Sequence, residues 1–114
     1  KKKLNSPIIV PYNKIKKLIS QSVGKFEFLN FGLQVKNGIF EFLERNAVTP
    51  NSLVLSYALA IATSGKSKKI YLAGLDGYSS DSPKKNTVNE VFSNFFLANR
   101  SIKIKSITPT LYKL

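Results

Sequence analysis

The stretch Lys68-Lys69-Ile70-Tyr71-Leu72-Ala73-Gly74-Leu75-Asp76-Gly77-Tyr78 decides how the rest of the chain is interpreted. Its residues 70–75 form an apolar run, which is typical of a strand buried on both faces in a parallel sheet covered by helices. Asp76 and Gly77 follow this run directly. Because ligands of open α/β sheets bind beyond the carboxyl ends of the strands, a site is expected first at this strand end.

The composition indicates a single globular domain with a strongly basic surface. The chain has 114 residues, of which 43% are hydrophobic, enough for one domain with its own core. Eighteen basic residues against 6 acidic ones give a formal net charge of +12. This charge favours nucleic acid, an anionic membrane or phosphorylated metabolites as partners. The lysines are spread over every segment, which is equally typical of a solubilising surface.

Several classes of site are excluded by the residue types that the chain lacks. Cysteine and histidine are absent, which excludes disulfides, a cysteine or histidine zinc site and a histidine general base. No apolar run approaches the ~20 residues of a membrane span, and residues 1–6 lack the apolar segment of a secretory signal. We therefore expect a cytoplasmic location and no membrane span. Since the chain contains no methionine, we also expect it to be a piece of a longer protein.

The ends of the chain predict two strands and one helix. Residues 7–11 predict a short strand between two prolines, which suits an edge position. Residues 14–22 predict an amphipathic helix that Asn13 caps and Gly24 ends. Residues 100–107 predict the last strand, with Lys103 and Lys105 on the face opposite its isoleucines.

A hairpin is predicted in the first half of the chain. Residues 25–36 alternate in the manner of a strand, and Asn37-Gly38 is typical of a type I′ turn. Residues 39–43 would then be the antiparallel partner strand. A helix over residues 38–45 is the alternative, because Ile39 and Phe42 also fit helical spacing.

Two further helices are predicted around the opening stretch. Pro50 and its polar neighbours predict a helix over residues 52–64, which is apolar on nearly all sides and should be buried. After a loop at residues 77–85, Asn86 or Thr87 would cap a helix over residues 88–99, with Glu90 completing a capping box. The apolar face of this helix is predicted to consist of Val91, Phe92, Phe95 and Phe96.

This order of elements predicts the α/β class. We expect one domain over residues 1–114, a three-layer sandwich with a mostly parallel sheet of about five strands and a hairpin. By length it corresponds to half of a Rossmann-like fold.

Two groups of polar residues are the candidate ligand-binding residues. Asp76, Gly77, Tyr78 and Asp81 lie among serines after the apolar strand, where two carboxylates could hold a divalent metal or a ribose. The alternative is a solvated turn, since aspartate and serine favour turns for local reasons. No residue is assigned a catalytic role.

The second group lies where the buried helix begins. Asn51 and Ser52 could bind an anion with the free backbone amides, or they could serve only as caps. Lys84 is a further candidate for phosphate. The chain contains neither GxGxxG nor GxxxxGK[ST], which argues against a standard nucleotide-binding loop.

Basic clusters occur at residues 1–3, 14–17, 66–69 and 84–85, and these could contact phosphates. The phenylalanines fall on predicted core faces rather than among the lysines. A stacking surface for single strands is therefore not indicated, and no specific nucleic-acid partner is expected.

Three stretches together resemble a known type of domain: residues 51–62, residues 69–78, and Ser106-Ile107-Thr108-Pro109-Thr110-Leu111-Tyr112. The combination resembles the C-terminal domain of aldolase-like proteins of the HMG-CoA lyase and 4-hydroxy-2-oxovalerate aldolase type, which are associated with bacterial surface-polysaccharide synthesis. The helix and strand pair also resembles the core of bacterial sialyltransferases. The resemblance covers about residues 50–112.

The aldolase resemblance implies an N-terminal TIM barrel that carries catalysis and any divalent metal. This chain would be a non-catalytic accessory domain without a cofactor, binding a sugar, a nucleotide-sugar or a partner subunit. The sialyltransferase resemblance implies instead a glycosyltransferase fragment that binds a cytidine nucleotide through Asn51, Ser52, Asp76 and Lys84. A generic polyanion-binding module is the third hypothesis, motivated by the charge alone.

The helix and strand that flank residues 65–68 also make a geometric prediction. A helix that precedes a strand in such a unit runs antiparallel to it, so Asn51 and Asp76 should share one edge of the sheet. We therefore expect Asp76 beside the helix N-terminus, with residues 77–85 lining the crevice.

Overall fold

The computed structural model describes residues 6–19 and 26–114, which contain three helices and seven strands. The elements are β1 (Ile8–Val10), α1 (Tyr12–Ile19), β2 (Phe28–Asn30), β3 (Gly32–Val35), β4 (Glu41–Phe42), β5 (Asn46–Thr49), α2 (Val54–Ser64), β6 (Lys69–Leu72), α3 (Pro83–Ala98) and β7 (Lys103–Ser106). The α/β class is confirmed. The predicted end of the first helix, its cap at Gly24 and the basic cluster at residues 1–3 lie outside the described residues.

The strands form small sheets, and the predicted sheet of about five strands is wrong. The orders are β1-β2, β3-β5-β4 and β6-β7, with only the β4-β5 pair antiparallel. The three-layer sandwich is not confirmed. Phe31 alone separates β2 from β3; its N–H donates to Val10 O, whereas the N–H of Gly32 donates to Arg45 O. Successive strand amides point to opposite sides, so β1 and β5 flank this extended segment.

The predicted hairpin between residues 25–36 and 39–43 is also wrong. A turn does form, since the N–H of Ile39 donates to Lys36 O at 3.1 Å. Gly38 has a φ of 72°, but Asn37 does not adopt the positive φ that a type I′ turn requires. The turn therefore does not align β3 with β4. Both strands pair with β5, which lies between them.

The main core is built around α3. Val91 and Phe95 are fully buried and Phe92 is 3% exposed. The rings of Phe40 and Phe42, before and within β4, lie 5.7 and 5.9 Å from the ring of Phe95. The predicted apolar face of this helix is confirmed, and it joins the β6-β7 sheet to β4.

Helix α3 begins earlier than predicted. Ser82 is its N-cap residue and Pro83 occupies the first turn, so the predicted caps at Asn86 or Thr87 and the capping box with Glu90 lie inside the helix. Proline at the first helical position is favourable because it needs no hydrogen-bond acceptor there. The loop that follows β6 therefore covers residues 73–82 rather than residues 77–85.

Helix α2 is found where the sequence predicts it, but it is not buried on all sides. Leu59 and Ala60 are buried, whereas Val54 is 82% exposed. The hydroxyl of Tyr57 donates to Phe31 O, which fixes α2 against the β2-β3 segment. Burial raises the pKa of Tyr57 to about 12. This tyrosine therefore stays neutral and acts as a structural donor.

Strand β6 is covered on one face only, so its predicted burial on both faces is wrong. Ile70 and Leu72 pack against the α3 core, while Tyr71 is 59% exposed. The cause is the alternation of side chains along a strand, combined with a helix layer on the Ile70 side. Within residues 6–19 and 26–114, no helix is long and apolar enough to cross a membrane.

Candidate functional site

The predicted site residues at the end of β6 lie in a loop that is fastened to the C-terminus. The carbonyl of Asp76 accepts a hydrogen bond from the N–H of Leu111 at 2.8 Å. The N–H of Tyr78 donates to the hydroxyl of Tyr112 at 3.2 Å. Asp76 is exposed, as is Asp81. The backbone groups of Asp76 and Tyr78 at the strand end are thus hydrogen-bonded to other residues of the protein.

We call residues 108–112 the C-terminal clasp. Its first residue, Thr108, accepts a hydrogen bond from the N–H of Gly74 at 2.9 Å through its hydroxyl. Gly77 has a φ of 115°, and a Cβ on it would lie 2.9 Å from the Cβ of Leu111. Tyr112 is 5% exposed, and its ring lies 5.9 Å from that of Phe92. The clasp therefore joins the strand-end loop to the main core.

Of the predicted site residues, the structure brings Lys84 to Tyr78. The ammonium of Lys84 lies 5.7 Å from the centroid of the Tyr78 ring, which is 42% exposed. Such a cation–π contact at an exposed position contributes about 0.5–1 kcal/mol. The pair is a local contact between the loop and the first turn of α3.

Asn51 makes local turn contacts just before α2. Its Oδ1 accepts from the N–H of Leu53 at 3.1 Å and from the hydroxyl of Ser56 at 2.7 Å. Thr49 donates to the carbonyl of Asn51 at 2.7 Å, and Ser52 is exposed. These are the contacts of a local turn, because the N-cap residue of α2 is Leu53 and it has no side-chain capping hydrogen bond. The expected position of Asn51 beside Asp76 stays a prediction.

The arrangement best suited to a ligand lies instead on β6, β7 and the segments that lead into them. A cavity of about 620 Å³ has four cationic lining residues: Lys69, Arg100, Lys103 and Lys105. Its other lining residues are apolar or aromatic: Ile70, Tyr71, Phe96, Ile102, Ile104 and Leu114. We call it the ring cavity.

A second cavity of about 510 Å³ adjoins the first at the amino ends of the two strands. The two share Lys69, Ile102 and Lys103. The remaining lining residues of the second are polar or basic: Thr63, Lys66, Ser67, Lys68, Asn99 and Ser101. We call it the polar cavity.

Strand register explains why the cations gather there. Lys69 pairs with Lys103 and Tyr71 with Lys105 in the parallel ladder, and all four are exposed. Paired residues of neighbouring strands project from the same face, about 4.8 Å apart. Like charges that face each other across strands are destabilising. None of the chain's 6 acidic residues lines either cavity, so an anionic ligand would relieve this repulsion.

Turns that follow α2 and α3 position the residues that line the polar cavity. After α2 the chain reverses through Lys66, whose φ is 59°, and its N–H donates to Thr63 O at 2.9 Å. After α3, Oδ1 of Asn99 accepts from the N–H and the hydroxyl of Ser101, at 3.1 and 2.9 Å. The side-chain oxygen of Asn99 is therefore already hydrogen-bonded, whereas its side-chain NH₂ group can donate to a ligand.

No cluster of metal-ligating side chains is present in the part of the chain that the structure describes. No three or more histidine, cysteine, aspartate or glutamate side chains there lie close enough together to hold an ion. The chemistry of the two cavities is cationic and hydroxylic, which suits phosphate and sugar groups rather than metal.

Sequence reasoning missed Arg100, Lys103 and Lys105 as site residues. The alternation that placed Lys103 and Lys105 opposite the isoleucines was correct. Had β6 and β7 been aligned as parallel neighbours, the same alternation at Lys69 and Tyr71 would have pointed to one shared cationic face.

Comparisons with protein-family models, with curated proteins and with solved structures find no match for this chain.

Proposed function

We propose that this chain is a non-catalytic domain that binds a phosphorylated sugar at the ring and polar cavities. The observation that carries the proposal is the pair Lys69 and Lys103, which face each other in register and line both cavities. Ammonium groups form charge-assisted hydrogen bonds with phosphate oxygens. Hydroxyl and amide groups beside them suit a polyhydroxylated ligand.

The biological setting that we propose rests on the sequence resemblance. In it the domain is the C-terminal accessory part of an aldolase-like enzyme of cell-surface sugar biosynthesis in the cytoplasm. An N-terminal barrel would carry catalysis and any divalent metal, and this domain would hold the sugar substrate or a related metabolite.

Calorimetric titration with glucose 1-phosphate tests the binding proposal. We expect binding that weakens about tenfold in Lys103→Gln, because one charge-assisted hydrogen bond is worth about 1.5–3 kcal/mol when fully formed. Lys84→Gln is the matched control, since it removes the same charge outside both cavities. Equal affinities for the two variants, or no heat with the parent chain, would overturn the proposal.

The net charge of +12 favours generic polyanion binding as a second candidate. That function predicts an affinity for heparin that falls linearly with the logarithm of the salt concentration. It also predicts that Lys84→Gln and Lys103→Gln weaken heparin binding to the same degree. Selective loss in Lys103→Gln favours the sugar-phosphate site.

The sialyltransferase-like alternative places a cytidine nucleotide at Asn51, Ser52, Asp76 and Lys84. Titration with cytidine monophosphate tests it, because Asn51→Ala should then weaken binding while Lys103→Gln should not. Because Asn51 accepts hydrogen bonds from Leu53 and Ser56, the folding of this variant is checked by circular dichroism.

A further inference from the structure

The two cation-lined cavities differ in the chemistry of their walls. Tyr71 and Phe96 provide aromatic surface in the ring cavity. Thr63, Ser67 and Asn99 provide hydroxyl and amide groups in the polar cavity. The shared lysines, Lys69 and Lys103, stand at the boundary between the two. Aromatic, cationic and hydroxylic surfaces therefore follow one another in that order.

We propose that the ligand is a nucleotide-sugar that spans both cavities. Its base lies against the ring of Tyr71 in the ring cavity, its phosphates lie at Lys69 and Lys103, and its glycosyl group occupies the polar cavity. This inference rests on the proposed function and adds to it the class of the ligand and its direction. In a nucleotide-sugar the phosphates join nucleoside to sugar, which is the order of the three surfaces.

The ring cavity is suited to a base. Tyr71 is 59% exposed, so its ring is accessible from solvent. Phe96 belongs to α3, which covers the opposite face of the sheet, so Tyr71 provides the stacking surface for the base. A base stacked on an aromatic side chain gains about 1–3 kcal/mol. The volume of about 620 Å³ falls in the range typical of small-molecule sites.

The polar cavity is suited to a sugar. Thr63 donates its hydroxyl hydrogen to Leu59 O at 2.8 Å, and Ser101 donates its own to Asn99, so both oxygens are left as acceptors. The amide of Asn99 and the ammonium of Lys66 are donors. Sugar hydroxyls both donate and accept, and they match a wall that mixes the two.

Calorimetry with a nucleotide-sugar and its two halves tests the inference on the 114-residue chain. The probes are uridine diphosphate glucose and adenosine diphosphate glucose, the corresponding nucleoside diphosphates, and glucose 1-phosphate. We expect at least one nucleotide-sugar to bind about tenfold or more tightly than glucose 1-phosphate. If neither does, the inference is overturned.

Two variants separate the two ends of the ligand. Tyr71→Ala should weaken the nucleotide-sugar and the nucleoside diphosphate about tenfold and leave glucose 1-phosphate unchanged. Lys66→Gln should weaken the nucleotide-sugar and glucose 1-phosphate and leave the nucleoside diphosphate unchanged. Tyr78→Ala is the matched control, an exposed tyrosine in the loop that follows β6 and outside both cavities, and it should change none of these affinities.

The outcomes also separate this inference from the proposed function. If glucose 1-phosphate binds and Lys103→Gln weakens it, but Tyr71→Ala has no effect on any nucleotide, the function stands and the nucleotide-sugar is refuted. If Tyr71→Ala and Tyr78→Ala have equal effects, the ring cavity is not the base site. If no phosphorylated probe binds, both proposals fail together.

Discussion

The polar groups at the two ends of β6 differ in whether they have partners within the protein. At the carboxyl end, the backbone of Asp76 and Tyr78 is hydrogen-bonded to the C-terminal clasp. At the amino end, Lys69 faces Lys103 in register, and the cavities around them contain no acidic residue. Groups that find partners within the protein stabilise the fold, whereas cations placed beside cations are available for a ligand.

The comparison shows why a strand-end position alone does not identify a site. Crevices at the carboxyl ends of strands depend on a topological switch point in an open sheet. Here β6 has β7 as its paired neighbour in a sheet of two strands. The clasp occupies the carboxyl end, and the open, charged surface lies towards the amino end.

Replacing Tyr112 with alanine should have the largest effect on stability. The side chain is 5% exposed, and its hydroxyl accepts from Tyr78, so its loss should cost about 3–5 kcal/mol in the free energy of unfolding. Urea denaturation measures this. Tyr71→Ala, on the exposed face of β6, should cost less than about 0.5 kcal/mol.

If Tyr112→Ala fails to fold, Tyr112→Phe keeps the comparison measurable. It removes only the acceptor for the N–H of Tyr78 and should cost about 1 kcal/mol. A loss no greater than that of Tyr71→Ala would show that the clasp does not stabilise the loop.

Two glycines of the strand-end loop should differ in their response to alanine. A Cβ at Gly77 would lie 2.9 Å from the Cβ of Leu111, and its φ is 115°. Gly74 also has a positive φ, 73°, but a Cβ there meets nothing within 4 Å. We expect Gly77→Ala to cost about 2–3 kcal/mol and Gly74→Ala about 1 kcal/mol, from backbone strain alone in the second case.

Thermal unfolding of the two alanine variants, recorded side by side, measures the difference. Equal shifts in Tm would mean that the contact with Leu111 adds nothing to the strain of the backbone.

Charge reversal at Lys103 should stabilise the protein while it abolishes binding. Lys103→Glu would place a carboxylate opposite Lys69, and opposite charges across strands contribute about 0.2–1 kcal/mol. The same change repels a phosphate, so glucose 1-phosphate should no longer bind. Lys113→Glu, outside the ring and polar cavities, is the control. A destabilised Lys103→Glu variant, or one that still binds, would contradict the assignment of this face.

The smallest effect is expected at Lys84. Its cation–π contact with Tyr78 favours the native state by about 0.5–1 kcal/mol, but its charge in the first turn of α3 is unfavourable to the helix dipole by about 0.3–1 kcal/mol. Lys84→Gln should therefore change the free energy of unfolding by less than about 0.5 kcal/mol. A loss above about 1 kcal/mol in urea denaturation would mean that this end of β6 depends on the pair.

Local sequence patterns predicted the elements better than their pairing. The bounds of α2 and the buried face of α3 follow from apolar spacing, which depends on neighbours three and four residues apart. The partner of β3 does not follow from Asn37-Gly38, because β5 lies further along the chain and competes for the same edge. Register between distant strands is a property of the folded sheet rather than of any short stretch.

The candidate site shows the same difference between local patterns, which the sequence specifies, and long-range pairing, which it does not. Asp76, Asp81 and Asn51 were identified from residue types that favour both turns and ligands, and the observed contacts of Asn51 are those of a local turn. The face that joins Lys69 to Lys103 requires two strands separated by more than 30 residues to be aligned, which no local pattern specifies. Only the alternation within each strand was available from the sequence.

The C-terminal clasp sets the order in which the chain can finish folding. Its hydrogen bonds to Gly74 and Tyr78 each join residues 34 positions apart, and Tyr112 is third from the end of the sequence described. During synthesis, domains form from the N-terminal side as the chain emerges. Residues 74–78 would therefore stay exposed until the clasp has been synthesised and has left the ribosome. The hydrogen bonds of the strand-end loop are therefore completed by residues that are translated more than 30 positions after it.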